Sequence, residues 1–451
     1  MAMLGLHLPV FIASPCDVLA ERRIAEEEIR AAAAEATKLD LLLEAWSWDL
    51  SSRPGCGRPQ DLIMPSLTRA ELVVVILGRR LGSPSRPDSD ETATQEEVRT
   101  AGALAREGVI DDVFVYFKEV QDAAGPADPE AERVRAFRRE LEEAKQFFPW
   151  TYADEEDFRI KFRGHLGQWI SRWAGIPQIC DFALKNSPPA ATPSWVLGEN
   201  RLPALLAQLD PVNDADAAEV LGRAAVAMYQ AYGPSAVSMR LNEHVEPADL
   251  ARLASRSLCV LADRPGQAQL QPTRLPPRNV PPLVRDRSSD IYFATSDWFF
   301  FSCALGLVHA IRRNDPSPTM RLPYINPIHQ YLAALVGLPY AGARREVVNV
   351  LRSWLTNRGA VTSGMPITRN FAAYVLGMLG AGEAENELAD ALRSDSGQDV
   401  ATYCITSLGK IRSRRKLELL KRLFADVSDN DRRILIAQVV ARIVGIAMYE
   451  L

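Results

Sequence analysis

Few side chains in this 451-residue sequence carry reactive chemistry in a recognisable pattern. Glu96 and Glu97 follow Thr94 at the start of a predicted helix, whose N-terminus favours an ionised carboxylate. A carboxylate so placed can stabilise positive charge that develops on a reacting carbon, or can attack it. Acidic residues are also ordinary in first helical turns, and helix statistics alone favour a plain dipole-matching surface. Glu96 and Glu97 are alternatives, because one residue of shift turns a side chain by about 100°. Ser14 and Asp17, behind the first predicted strand, are placed to meet ribose or phosphate, with helix capping the preferred role for Asp17. Trp46 and Trp48 close the second strand, where an indole can stack on a base or join the core. Gly78, Arg79, Arg80, Gly82 and Ser83 follow the third: arginines can meet a diphosphate, and the glycines serve the turn.

Other chemistries find little support. Cys16, Cys56, Cys180, Cys259, Cys303 and Cys404 show no CxxC spacing and no accompanying histidine cluster, which argues against a zinc site or a disulfide framework. Reduced thiols in a cytoplasmic protein are the expectation. His244, His309 and His329 stand apart and read as structural. No GxxxxGK[ST] loop is present, so no P-loop ATPase is expected. With a net charge of −5, the chain has no global field drawing it to nucleic acid or an anionic membrane, and neither is an expected partner. Lys410, Arg412, Arg414, Arg415, Lys416, Lys421 and Arg422 form a local basic cluster, read as a solvated loop and helix face. The apolar run over 4–13 has no preceding Lys or Arg, and Pro15 stands where a signal peptide needs a small cleavable residue; it reads as a buried strand. Trp298–Ile311 is about 14 residues, short of the ~20 that span a bilayer, and is expected as a buried helix.

The elements that must position these residues alternate. Strands are predicted at Leu8–Ala13, Leu39–Trp46, Glu71–Leu77, Val113–Lys118 and, briefly, Phe147–Tyr152. Helices are predicted from Asp17 to Thr37, around Asp61–Arg69, from a Thr94 cap to Glu107, over Glu130–Lys145 and over Asp154–Trp173. Such alternation predicts a doubly wound α/β domain, with a parallel sheet whose site lies where the loops leave the C-terminal strand ends. Residues 1–175 are assigned to it. Residues 190–287 form a helical middle region, with helices at Asp216–Tyr232 and Pro247–Leu261 and an irregular Pro-rich stretch over 264–287. Residues 288–451 form an all-α repeat region. Ala372–Gly380 matches Ala401–Gly409 at an offset of about 29 residues, each copy followed by a second helix. A helix pair at that spacing with a small-residue seam resembles HEAT repeats.

The first domain resembles the TIR-like domain of unknown function found at the front of NACHT-type and repeat-containing signalling proteins. The resemblance rests on Val10-Phe11-Ile12-Ala13-Ser14 with Asp17 and Glu21-Arg22, on Gly78-Arg79-Arg80-Leu81-Gly82-Ser83, and on Thr94-Gln95-Glu96-Glu97-Val98 with Ala101. Tyr152, Phe158 and Leu166 match its closing helix. Pro15 and Cys16 replace the usual Ser/Thr and aromatic, and Leu81 a common Tyr. The resemblance implies kinship with TIR-type NAD hydrolases and nucleoside deoxyribosyltransferases. In the latter a Thr is followed by Glu three positions on and Ala four further, a spacing kept by Thr94, Glu97 and Ala101. It therefore implies Glu97 as the catalytic carboxylate of an N-glycosidase, with NAD or a related nucleotide as substrate and no other cofactor. It further implies homo-oligomerisation on activation, a protein or phage-derived trigger acting through the helical repeats, and a part in bacterial anti-phage defence. A non-enzymatic assembly adaptor and a deoxyribosyltransferase-like enzyme are the alternatives.

Overall fold

A computed structural model of the chain describes residues 5–47, 59–85, 91–119, 128–145, 147–187, 201–206, 209, 215–232, 236, 239–249, 253, 259–261, 283–285, 291–293, 296–320, 326–337, 343–357, 365–394 and 398–446. Five short apolar runs become parallel strands: β1 (Leu6–Ala13), β2 (Leu41–Ser47), β3 (Leu72–Leu77), β4 (Asp112–Lys118) and β5 (Trp150–Tyr152), in the order β2-β1-β3-β4-β5. All six residues of β3 are buried, as a central strand covered on both faces requires. Register pairs Val10 with Leu72 and Leu72 with Asp112.

Helices cover the two faces. α1 (Leu19–Thr37) lies on one side with α5 (Glu155–Trp173), where Glu28 takes Arg159 and Arg163 at 2.7–2.9 Å. There Phe158 and Phe162 stack and Tyr116 meets both edge-on. α2 (Pro59–Leu67), α3 (Ala93–Arg106) and α4 (Pro129–Ala144) cover the other side, where Phe11, Val73, Val75, Val98, Ala101 and Phe137 share one core. The α/β expectation is met, with element ends shifted by one or two residues except at β5, which begins three residues later than expected.

By contacts the chain divides into two units, Met1–Ser187 with Arg412–Met448, and Pro188–Ile411. The division differs from the three expected segments because the last helices pack on α6 (Ile176–Asn186), which continues α5. The second unit holds α7 (Arg201–Leu206), α8 (Ala215–Tyr232) and a sheet of β6 (Cys259–Leu261), β7 (Leu283–Arg285) and β8 (Ile291–Phe293). That sheet corrects two expectations. Residues 259–261 are a strand rather than the end of a helix, and Leu283–Arg285 is regular structure within the Pro-rich stretch, since the prolines precede it and leave its N–H groups free to pair. α9 (Ser296–Arg312) is the apolar segment, and its Trp298, Phe299, Phe301 and Leu307 are buried. It crosses α8 so closely that a Cβ on Gly222 would stand 2.5 Å from the Gly306 nitrogen. No helix among the described residues is long and apolar enough to cross a membrane.

α10 (Asn326–Val336), α11 (Ala343–Thr356), α12 (Met365–Met378), α13 (Glu385–Ser394) and α14 (Gln398–Lys410) complete this unit, while α15 (Leu417–Asp426) and α16 (Asn430–Ile443) belong to the first. The repeat is visible but its register differs from the sequence match. Gly380 (φ 58°) corresponds to Arg412 (φ 52°), and the 3-10 turn Gly382–Ala384 to Arg414–Lys416. These place the copies 32 residues apart rather than 29. Three residues are close to one helical turn, so the slipped match kept apolar residues on the same face. The small-residue seam is real: Ser407 donates to the Ala373 carbonyl at 2.7 Å, and a Cβ on Gly377 would meet the Ser407 Oγ at 2.4 Å.

Candidate functional site

In the order 2-1-3-4-5, chain connections leave β1 and β3 in opposite directions, opening a crevice at their C-terminal ends where open α/β sheets take ligands. Ser14 and Asp17 leave β1 at this point, and Gly78, Arg79 and Gly82 leave β3. Asp17 does not cap α1. Its Oδ2 accepts the Arg79 and Arg80 backbone N–H groups at 2.7 and 3.1 Å, tying the two loops together. That corrects the capping expectation: a 3-10 turn over Cys16–Val18 precedes α1 and turns Asp17 toward the other loop. Gly78 is the residue this tie demands, since a Cβ there would lie 2.6 Å from the Asp17 carboxylate oxygen. Ser14, buried, accepts from Arg22 at both its hydroxyl and its carbonyl, each at 2.7 Å.

The entry into α3 builds the opposite wall. Thr92, not Thr94, is the cap: its hydroxyl accepts the Gln95 N–H while the Gln95 side chain accepts the Thr92 N–H, a reciprocal capping box. The cap moves because the Ser83 carbonyl takes the Ala93 N–H and Pro84 bridges to Thr92, which starts the helix earlier. Thr94 thereby becomes part of the buried stripe Thr94–Glu97–Val98–Ala101–Gly102. Gly82, at φ +90°, brings its backbone beside Thr94; a Cβ there would stand 3.3 Å from Thr94 Oγ1 and 3.9 Å from Pro15. Glu97 is 7% exposed and one turn further in, whereas Glu96 is half-buried and off the stripe. Arg79 and Ser83 present their side chains to solvent, with the Arg79 guanidinium 4.0 Å from Asp128.

Ser14, Asp17, Gly78, Arg79, Gly82, Ser83 and Thr94 are thus gathered at one edge, with Glu97 behind Thr94. Trp46 is not among them. It packs against the core beneath α2 and α3, with the Arg69 guanidinium 5.6 Å from its ring and His7 edge-on at 6.1 Å. His7 and Arg69 lie near the starts of β1 and β3, so the indole leans toward the far edge of the sheet. Trp48 lies outside the described residues.

Sequence reading missed a charged tie on the other side of the crevice. Glu21, in the first turn of α1 and 1% exposed, accepts Lys118 Nζ at 2.7 Å and the Tyr152 hydroxyl at 3.4 Å. Lys118 and Tyr152 end β4 and β5, so the pair fastens α1 across three strands. Burial, and then the nearby Glu21 and Asp17 carboxylates, push the Tyr152 phenol far above its ordinary pKa and keep it a proton donor. The one signal was a single lysine ending an apolar strand.

The basic cluster near residue 414 also reads differently in place. Arg414 pairs with Glu71, and burial lowers its guanidinium to about 10. Lys421 donates to the Arg172 and Ala174 carbonyls at 3.1 Å, satisfying the end of α5. These two side chains are docking contacts within the first unit rather than solvated face, because α15 packs where the last carbonyls of α5 would otherwise lack donors. Among the described residues no group of His, Cys, Asp and Glu is arranged to hold a metal ion.

Residues 9–167 match the family model described as a domain of unknown function, DUF4062, and residues 359–441 match the model for HEAT repeats. No curated protein and no solved structure matches the chain.

Proposed function

We propose that this chain, a DUF4062 domain followed by HEAT repeats, is a TIR-like effector that cleaves the N-glycosidic bond of NAD or a related nucleotide, with Glu97 as its carboxylate. The observation that supports the reading is the buried stripe shared by Thr94 and Glu97 at the head of α3, with Thr94 beside the Gly82 loop that leaves β3. In NAD the nicotinamide is already cationic, so it departs with the bonding electron pair as a neutral base and needs no proton. Glu97 stabilises the oxocarbenium-like ribose, water adds to the anomeric carbon, and the proton released passes to the carboxylate or to solvent. In this reading the exposed Arg79 and the backbone around Gly82 take the diphosphate. The helical repeats act as sensor and assembly region, in bacterial anti-phage defence, with the site completed in a homo-oligomer.

One observation favours an adaptor instead. Ser14 and Asp17 spend their polar atoms on Arg22 and on the 79–80 backbone, which a purely architectural crevice would also need. Nicotinamide release separates the two. Purified protein incubated with NAD at high protein concentration, with and without phage lysate, releases nicotinamide under the enzymatic reading. Glu97→Gln lowers the rate about 10²–10³-fold, while Glu96→Gln leaves it within a few-fold. Release that survives Glu97→Gln but is lost in Glu96→Gln moves the carboxylate to Glu96; no release, with cellular protection persisting in both variants, gives the protein to the adaptor reading. Base exchange between deoxynucleosides would favour the transferase.

A further inference from the structure

A second hollow, of about 710 Å³, lies at the opposite edge of the sheet, a volume in the range of small-molecule sites. It exists because β5 is short. Trp150–Tyr152 pairs only with Tyr116–Lys118, leaving the first half of β4 without a neighbour on that side. Phe148, Trp150 and His165 wall this space together with the ends of α3 and α5 and with residues 414–418.

Two properties define what fits. The first is unused ring surface. Phe148 is 80% exposed, the most exposed large apolar side chain among the described residues, and Trp150 is 42% exposed. They meet edge-on at 5.8 Å, and Trp150 tilts against His165 at 4.6 Å. Tyr116 backs His165 by stacking at 5.8 Å and bonds its Nδ1 at 2.8 Å, which fixes the ring. Burial and then the Lys161 charge lower the His165 pKa, so at neutral pH it offers a ring face rather than a charge.

The second is a pair of guanidinium groups without a carboxylate partner. Of the acids here, Asp111 and Asp112 are taken by Arg172, and Glu418 by Lys421. Arg414 is spent on Glu71. Arg106 and Arg415 have no carboxylate partner among the described residues; the Arg106 Nε reaches only the Gly102 carbonyl. Two guanidinium groups therefore face the hollow beside exposed rings, the pairing that recognises a flat ring carrying an anionic group.

We propose that this hollow is a ligand site for an aromatic anion of the nucleoside monophosphate class, its base among Phe148, Trp150 and His165 and its phosphate on Arg106 and Arg415. The proposal does not depend on the crevice behind β1 and β3. Because Arg415 belongs to the last part of the HEAT-repeat match, within the first unit, an occupant also holds that part against the α/β fold.

The test uses the full chain and AMP, read by tryptophan fluorescence, with adenosine and inorganic phosphate as separate probes. AMP is expected to quench the signal and to slow hydrogen exchange over 147–150 and 414–418, with adenosine and phosphate each at least tenfold weaker. Phe148→Ala and Arg415→Ala, both at exposed side chains, are each expected to weaken AMP at least tenfold with Tm unchanged. The proposal is overturned if AMP does not bind at millimolar concentration, or if phosphate or adenosine alone binds as well as AMP. It also falls if both variants bind AMP like the parent, which would place the nucleotide in the other crevice.

Discussion

Removing the Asp17 carboxylate strips two backbone N–H groups of their acceptor, and Asp17→Ala is expected to destabilise the protein by about 1–2 kcal/mol in urea titration. The sequence showed Asp17 just before a helix, where capping is the commoner use; its real partners lie 62 and 63 residues away, and no local pattern encodes them. Spacing puts Thr94 and Glu97 on one helix but not on a known face: it reads Thr94 as the cap and leaves Glu96 an alternative. The start of α3 at Thr92, set by the pairing of Pro84 with Thr92, decides which face is buried. Gly82→Ala places a Cβ at φ +90° beside Thr94 and is expected to cost about 1–2 kcal/mol, measurable as a lower urea midpoint. His165 makes a pH prediction. Its folded pKa lies below the ordinary 6.5, so between those values the unfolded chain holds more protons than the folded one. Stability should fall as pH drops through 6.5 toward the lowered value and level off beneath it. Urea midpoints from pH 7.5 to 5 should show this drop in the parent and a smaller one in His165→Gln. An equal drop in both assigns it to other groups.

Among the elements, α3 joins the two candidate sites, with Thr94 and Glu97 at its head and Gly102 and Arg106 at its tail. Gly102 sits under Phe147, whose Cζ would lie 2.5 Å from an added Cβ. Gly102→Ala gains helix propensity worth about 1 kcal/mol yet forces Phe147 out, and the net expectation is a loss of about 1–3 kcal/mol. The same change should alter AMP binding if the second hollow is a ligand site, because Phe147 lines it. Thr92→Ala removes the capping box and should cost about 1 kcal/mol, where Thr94→Ala would not act as a cap loss. Strands were easier to read than their ends: three valines announce β3 in any context, whereas β7 emerges only because Cys259–Leu261 and Ile291–Phe293 lie on either side of it. The helical repeat shows the same limit. Face periodicity survives a slip of one turn, so only the turn residues Gly380 and Arg412 set the true period.

At the scale of the whole molecule, α15 and α16 close the first unit. The Arg433 guanidinium lies 5.1 Å from the Phe182 ring and 4.7 Å from that of Phe424, which meet edge-on, and Gln438 donates to Ser187 at 2.9 Å. A chain ending at Ile411 uncovers the α6 face these helices bury and is expected to aggregate or to lose the folding cooperativity of the α/β domain. Intact far-UV spectra and an unchanged Tm for its first transition would refute this. None of these contacts was visible in sequence, because they join positions some 250 residues apart whose side chains look like ordinary surface helix. The closure has a consequence for biogenesis. A ribosome reaches Ser187 on the order of ten to forty seconds before it reaches Arg412, and in that interval the sheet and its first helices are already outside the tunnel without their last two. Fragments from stalled or broken messages would lack the pieces that finish the fold.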